Sequence, residues 1–459
     1  MRLVSLSLVL LLGACSLIPP LPEPEAGLPA AYEGTPAGDA NAADLGWREL
    51  FADPRLQALV RLALDHNRDL RVAVANVEAA RALYGIERSA LLPRVDGRAG
   101  LGRERLAARP GSPAVVQGNH AAGLALSAFE VDLFGRVRAL SEAAQARYLA
   151  TAEGARAVRL SLVAAVADAY LEERLAAEQL RLTETTLADW QQSLSLARML
   201  KDAKQNSGLD VAQAEGQVAS AEADLESRRR DLAQARNALA LLLGRLPPEG
   251  LPAGRSLADQ PIRTALPAGL PSDLLLRRPD LRQAEQALRA ANADLGAARA
   301  AFFPTLSLTA SLGYASPALG SLFQGSQLAW GASPQLTQAL FDNGRLAAGR
   351  DLAEARRTAA LAEYEKSIQA AFREVADGLA ASATLDAQLQ AQARVVASAE
   401  RRRELSNLRY RAGQDSRLEL LDAQRQAYAA QQGLLALRRS VFKNALSLYK
   451  ALGGGLSEG

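Results

Sequence analysis

Leu306-Ser307-Leu308-Thr309-Ala310-Ser311-Leu312-Gly313-Tyr314 alternates without a break, with Leu306, Leu308, Ala310, Leu312 and Tyr314 on one side and Ser307, Thr309 and Ser311 on the other. A period of two means a strand, because successive side chains point to opposite faces. A second run follows within hairpin reach, setting Leu328, Trp330, Ala332 and Leu336 opposite Ser333, Gln335 and Thr337. An earlier pair repeats the pattern more weakly: Val95, Ala99 and Leu101 against Asp96, Arg98 and Glu104, then Leu124 and Leu126 against Ala125 and Ser127. The spacing predicts two hairpins, with strands at about 94–106 and 122–134 and at about 305–315 and 327–341.

Strands of about ten residues with one apolar and one polar face match what a membrane barrel needs. A sheet in hydrocarbon must close on itself, since no water is present to satisfy its edges. Four strands cannot close, and the smallest such barrels have about eight. At least two copies must therefore share one barrel, and three copies, giving about twelve strands, fit better. The faces carrying Ser, Thr, Gln and Arg then line a wet lumen. Trp330 and Tyr314 are expected on the lipid side or in an interface belt.

Outside the strands the chain is helical. All 20 prolines fall within residues 19–113 or 247–334, leaving 114–246 and 335–459 free of them. Interior proline costs about 3 kcal/mol, so those gaps can carry very long helices. From Arg136 to about Lys204, and from Arg345 to about Gly413, no breaker interrupts the pattern. Each run of about 70 residues would extend for about 100 Å, too long to bury itself within one soluble chain. Shorter helices, about Asp210–Leu243 and Leu418–Leu452, return after turns and end at Gly244 and Gly453. Helices at about Arg68–Leu91 and Asp280–Phe302 precede the strand pairs and are stopped by Pro93 and Pro304.

The two halves are alike. Asp69 and Asp280, like Pro93 and Pro304, are 211 residues apart, whereas Arg136 and Arg345, like Gly244 and Gly453, are 209 apart. A constant offset over so many residues marks one unit used twice. The fold class is mainly α with a membrane β part, in two tandem repeats of helix, strand, strand, long helix and helix. The organisation reads as a signal segment at 1–14, a Pro-rich tether at 15–54, a first repeat at 55–246, a Pro-rich linker at 247–271 and a second repeat at 272–459.

The first residues suggest how the chain is held. Arg2, a short apolar run from Leu3 to Leu12, and Leu12-Gly13-Ala14-Cys15 resemble a bacterial lipoprotein signal, in which Cys15 becomes the acylated first residue. Ser16 rather than Asp follows, which by that resemblance fits sorting to the outer membrane. Acyl chains anchor at about 0.8 kcal/mol per buried CH₂. One cysteine excludes an intrachain disulfide and, with only two histidines, argues against a metal site. His66 and His120 read as surface or capping residues. Net charge is +3 from 53 basic and 50 acidic residues, so no nucleic-acid stripe is predicted. The Arg228-Arg229-Arg230 run reads as a solvated helix face. No phosphate loop and no nucleophile beside a base are legible, so the chain is not expected to be an enzyme or to need a cofactor.

Leu266-Pro267-Ala268-Gly269-Leu270-Pro271-Ser272-Asp273-Leu274-Leu275-Leu276-Arg277-Arg278-Pro279-Asp280 resembles the signature of outer-membrane efflux lipoproteins of the NodT and OprM type, within the TolC superfamily. Glu130-Val131-Asp132-Leu133-Phe134-Gly135 and Leu340-Phe341-Asp342-Asn343-Gly344-Arg345 resemble its two strand-to-helix junctions, where Phe134 and Phe341 are expected to seal the joint. The resemblance implies a homotrimer in outer-membrane lipid, with a twelve-stranded β-barrel continued by a periplasmic α-helical barrel. It also implies two partners, a periplasmic membrane-fusion adaptor and an inner-membrane transporter of the resistance-nodulation-division class.

By the same resemblance the periplasmic end is gated by inward coiling of helix pairs, held by polar links near the turns. The matching positions are Tyr410 before the second turn, Glu419 and Asp422 after it, and Asp210 in the first repeat. Three copies of each carboxylate about an axis would form a cation-attracting constriction. An acid early in a helix also simply favours the helix dipole, so a capping role competes with gating. Ala203-Lys204 stands where the second turn has Ala412-Gly413, and Asp415 stands where some relatives carry a latching arginine, leaving Arg411 or Arg417 to substitute. Two other functions use the same features: a lipid-anchored coiled-coil scaffold or adaptor without a pore, and an exit duct for type I protein secretion.

Overall fold

The computed structural model describes residues 16–25, 27, 29, 32, 44–108, 110–111, 113–267 and 277–455; Cys15 and residues 268–276 of the signature stretch lie outside them. In chain order these residues form α1 (Trp47–Leu50), α2 (Pro54–His66), α3 (Arg68–Ser89), β1 (Val95–Leu106), β2 (Val115–Val131), α4 (Arg136–Asp202), α5 (Gly208–Leu243), α6 (Pro279–Ala300), β3 (Thr305–Ser316), β4 (Leu328–Thr337), α7 (Arg345–Arg411) and α8 (Arg417–Ala451). The structure is mainly helical with one small antiparallel sheet. It divides into two units: one holds the described residues of Met1–Glu25, Ala75–Ala152 and Gln283–Lys366, the other those of Ala26–Val74, Glu153–Arg282 and Ser367–Gly459. No helix among the described residues is long and apolar enough to cross a membrane.

The first unit contains the sheet, in the order β1-β2-β3-β4, so β1 and β4 each have a free edge. Register aligns the apolar residues into cross-strand rows: Val95, Leu126, Ala310 and Ala332 form one, and Leu124, Leu312 and Trp330 occupy the next. Cross-strand partners share a face, so one side of the sheet is apolar from Val95 to Leu101 along β1 and across to β4, and is uncovered there, with Trp330 76% exposed. The opposite face carries Asp96, Arg98, Ser307, Thr309, Ser333 and Gln335.

One break in register keeps that pattern. Leu126 pairs with Ala310 but Phe129 pairs with Leu308, so β2 holds one extra residue between them. Ala128 there takes φ 47, and its N–H is satisfied by Thr309 Oγ1 at 3.1 Å. The apolar residues of β2 change parity at this point, from Leu124 and Leu126 to Phe129 and Val131, and the bulge returns all four to one face. Gly123 and Gly313 face each other one strand apart. A β-carbon at Gly123 would lie 2.5 Å from the Leu312 carbonyl oxygen, and one at Gly313 2.4 Å from that of Ala122.

β2 runs over Val115–Val131, not 122–134 as the alternation suggested, because β1 continues to Leu106 and pairs with Val115. β4 stops at Thr337 instead of 341, where its partner β3 begins after Pro304. Each strand then gives way to an aspartate that caps a long helix. Asp132 accepts from the N–H groups of Val137 and Arg138 (3.2 and 2.9 Å), and Asp342 from those of Gly344 and Leu346 (3.0 and 2.8 Å). Phe134 stacks on Phe303 at 4.7 Å, as a joint seal requires. Phe341 does not: it is 88% exposed and seals nothing within the chain, because Asp342 turns the backbone before it can fold inward.

In the second unit the tether and linker are more structured than their prolines suggest. Trp47, Leu50 and Phe51 are fully buried, and Phe51 packs edge-on to Tyr449. Asp53 caps α2 through Arg55 N (2.9 Å) and accepts from Tyr170 OH (2.7 Å). Burial and then that carboxylate push the Tyr170 phenol up to about 12, so it remains the donor at any ordinary pH. From the linker, Leu257 is buried with its N–H on Glu178 (2.6 Å), and Ile262 bridges Phe51. Among the described residues these Pro-rich stretches hold, as α-helix, only the single turn α1 and the first residue of α2, but enough apolar side chains remain to dock them.

α4 and α5 meet along Leu187, Trp190, Leu194 and Ala197 against Val211, Ala214, Val218, Ala221 and Leu225, with Tyr428 of α8 packed alongside. Alternating steps of three and four are a coiled-coil seam. Beyond it the first turn closes with Gln205 N–H on Leu200 O (2.8 Å) and Lys204 N–H on Lys201 O (2.9 Å); the second does the same with Gln414 on Arg409 (2.9 Å) and Gly413 on Tyr410 (3.0 Å). The two turns therefore close alike, contrary to what Lys204 suggested, and Lys204 takes φ 55 to do so.

Two stability tests follow. Lys204→Gly should stabilise the first turn by about 1 kcal/mol, since glycine carries no left-handed penalty, read as slower amide exchange at residues 203–206. Gly313→Ala should destabilise the sheet by about 1–3 kcal/mol through overpacking against Ala122, read as a lower melting temperature in detergent.

Candidate functional site at the two helix turns

The four candidate residues lie near the two turns of the second unit and fall into two clusters. Asp210 is the third residue of α5 and completes a capping box: its N–H donates to Ser207 Oγ (3.2 Å), and its carboxylate accepts from Ser207 N–H (3.0 Å) and Ser207 OH (2.6 Å). The capping role is thus met in full. The carboxylate also contributes attraction at Arg417.

Tyr410 ends the apolar course of α7, 8% exposed, and its hydroxyl accepts from Asn206 Nδ2 at 3.0 Å. That bond joins the second hairpin to the first turn. Over the Tyr410 ring, 5.3 Å from its centre, lies the guanidinium of Arg417, itself 3% exposed. Burial lowers the Arg417 pKa, with Tyr410 and Asp210 opposing it. Its Nε and Nη1 find no acceptor among the described residues. A buried cation held mainly by a ring face and a nearby carboxylate is costly, so small movements of either hairpin change its energy.

Glu419 and Asp422 meet on one guanidinium. Arg402 of α7 donates to Glu419 Oε1 (2.7 Å), Asp422 Oδ2 (3.0 Å) and Gln426 Oε1 (2.6 Å), and its pKa is raised, first by Glu419. The charged groups are about 40% exposed, so water screens each pair and the clamp is weak. Asp415 pairs with Arg409 at 3.2 Å. Of the two arginines that could substitute for a latch at 415, Arg417 lies within the cluster.

The structure brings Asp210 and Tyr410 together through Arg417 and Asn206, and Glu419 and Asp422 together through Arg402. Residue order does not bring out Arg402 or Asn206, and it offers Arg417 only as one of two arginines near Asp415. Arg402 sits in the run Arg401-Arg402-Arg403, and nothing in the sequence shows which of the three turns toward α8. One sequence signal was available: 209 residues after the apolar seam positions Trp190, Leu194 and Ala197 stand Ala399, Arg403 and Ser406. Near its end α7 thus puts Arg403 and Ser406 where α4 has Leu194 and Ala197, while α8 keeps Leu420, Ala423 and Ala427 buried, and Arg402 adds ion pairs to α8.

The other singled-out residues have local roles. His66 Nδ1 lies 3.1 Å from Leu62 O within α2. Arg228 and Arg229 make ion pairs within their own helix, at 3.3 Å to Asp224 and 2.6 Å to Glu226, and Arg230 bonds Ser227 at 2.8 Å. No group of three or more metal-ligating side chains occurs among the described residues.

The profile of the family described as outer membrane efflux protein matches the chain twice, at residues 59–245 and 270–454. The toluene efflux pump outer membrane protein TtgC of Pseudomonas putida is 44% identical over 457 residues, covering 98% of this chain and 94% of that protein. The outer membrane protein OprJ of Pseudomonas aeruginosa is 41% identical over 462 residues, covering 99% and 96%. The open state of the MtrE outer membrane channel of Neisseria gonorrhoeae superposes with a TM-score of 0.89 at 40% identity, covering 97% of this chain and 99% of that one. This mainly helical chain, with one open sheet that is apolar on one face and two helix turns tied by polar links, belongs to the outer membrane efflux protein family.

Proposed function

We propose that the chain is one subunit of the passive outer-membrane exit duct of a tripartite efflux system. Three copies close their sheets edge to edge into one barrel of about twelve strands, and their helices continue the lumen as an α-helical barrel in the periplasm. Acylated Cys15 anchors each copy in outer-membrane lipid. A periplasmic adaptor and an inner-membrane transporter of the resistance-nodulation-division class supply the energy, and small molecules or drugs leave through the lumen. The chain acts as duct and gate, without catalysis or cofactor.

The observation that carries this reading is the sheet: four strands, two free edges, and an apolar face left uncovered. In water such a face and such edges would aggregate, whereas in a bilayer the face meets lipid and the edges meet neighbouring copies. The near-constant offset of 209 to 211 residues supports treating the two halves as equivalent staves.

Gating follows from the unequal hairpins. The α4–α5 pair is bound by an apolar seam, while the end of α7–α8 is held by Arg402 on Glu419 and Asp422 and by the packing of Tyr410 with Arg417. Hydrophobic seams are hard to part, but partly exposed ion pairs exchange readily with water. The second hairpin is therefore the one that swings, and adaptor binding biases its open state. Asp210, Tyr410, Glu419 and Asp422 hold the closed tip, and the carboxylates draw cations to it.

Two measurements test the reading. Detergent-solubilised protein should have the mass of three chains; a monomer in lipid, or a water-soluble dimer on removal of Cys15, would favour a poreless scaffold. Asp210→Ala combined with Asp422→Ala should raise single-channel conductance in planar bilayers several-fold and reduce cation preference, and Arg402→Ala should raise conductance in the same direction. Unchanged conductance in a folded trimer removes the gate assignment.

A further inference from the structure

The hairpin β1–β2 is longer than the rest of the sheet. β3 pairs with β2 only as far as His120 and Ser316, whereas β1 and β2 continue to Leu106 and Val115. Along the apolar face, the row of Ala99, Ala122, Tyr314 and Leu328 is followed by Leu101 with His120, then Arg103 with Gly118, then Arg105 with Val116. Two residues along a strand advance about 6.6 Å, so the arginines stand one and two such steps beyond Leu101. They share the face of the lipid belt but lie past its end, away from the strand ends that lead into helices.

Charge at that place is not neutralised. Arg103 and Arg105 are exposed, and among the described residues neither has a hydrogen-bonding or ion-pair partner. Four arginines nearer the helix end of the sheet do have partners, Arg94 with Asp96 at 2.8 Å, Arg98 with Ser127 at 2.5 Å, Arg136 with Glu130 at 2.5 Å and Arg138 with Asp132 at 3.1 Å, whereas Arg345 at the junction to α7 is exposed like Arg103 and Arg105. Glu104 lies between the two free arginines in sequence but belongs to the opposite face. Gly118 opposite Arg103 offers no shielding side chain, and His120 occupies the space beside it: a β-carbon at Gly118 would lie 2.9 Å from His120 Nε2.

We propose that Arg103 and Arg105 form a docking patch for phosphorylated headgroups of lipids in the outer leaflet of the membrane. The inference rests on the channel reading, which sets the hairpin ends at the outer surface. Two guanidinium forks just beyond an apolar belt meet the layer where lipid phosphates lie, and a fork matches phosphate oxygens two at a time. Such contacts fix the height and rotation of the barrel in the bilayer. A soluble polyanion would not require the patch to adjoin the lipid belt.

The test uses the full-length protein in detergent, titrated with fluorescent diphosphoryl lipid A and with the same lipid stripped of its phosphates. Wild type should bind the phosphorylated lipid at least about tenfold more tightly than the stripped one, increasingly so at low salt. Arg103→Gln with Arg105→Gln should abolish that difference, while Arg98→Gln, on the opposite face, should preserve it. Retention of the wild-type difference by the double variant, an equal loss in Arg98→Gln, or displacement by excess inorganic phosphate overturns the proposal. Planar-bilayer conductance separates the two readings. A double variant that conducts like wild type but loses lipid selectivity supports the patch, whereas a wild type that forms no channel defeats the duct reading and leaves the binding result to stand on its own.

Discussion

Backbone N–H and C=O groups on the free edges of β1 and β4 cannot be left unpaired in hydrocarbon, where each would cost several kcal/mol. A helix solves this within itself, but a sheet solves it only by closing. Four strands from one chain are too few to close, and in the proposed duct the missing strands come from neighbouring copies. The uncovered apolar face presses in the same direction, because Trp330, Leu312, Leu124 and Val95 each remain more than half exposed.

A sheet that must join others tolerates little error in register. A slip of one residue would turn the lipid face inward along a whole strand. The bulge at Ser127–Ala128 and the facing pair Gly123–Gly313 are the local devices that hold it. The bulge corrects a change of parity, and the glycine pair permits a close approach that any side chain would block. Asp132 and Asp342 then convert extended chain into helix within a few residues, so the junctions to α4 and α7 are set by two carboxylates.

The two helix hairpins are held by different kinds of contact near their ends. Where α4 meets α5, burial of Leu, Val, Ala and Trp side chains makes separation costly in proportion to area. Near the end of α7 and α8, Ser406 is buried and Arg402 and Arg417 supply the links, so closure depends on charge arrangement more than on area. Contacts of that type are individually weak and respond to a partner that offers competing charges.

Whereas the two strand-to-helix junctions were placed by resemblance and their aspartate caps by the structure, strand alternation at Leu306–Tyr314 and the proline-free stretches were legible in order alone, because each expresses a local rule with a fixed period or a missing breaker. The same is true of the long helices, found at Arg136–Asp202 and Arg345–Arg411 within a few residues of expectation. Other features depended on partners distant in the chain. The length of β2 was set by β1, and the docking of Trp47, Phe51 and Leu257 by a site that proline content could not reveal. Exposure of Phe341 and the choice of Arg402 among three consecutive arginines were likewise decided by geometry. Periodicity determines which face a residue takes within its own element; only the packed structure decides what that face meets, since contact energy depends on distance in space and not on separation along the chain.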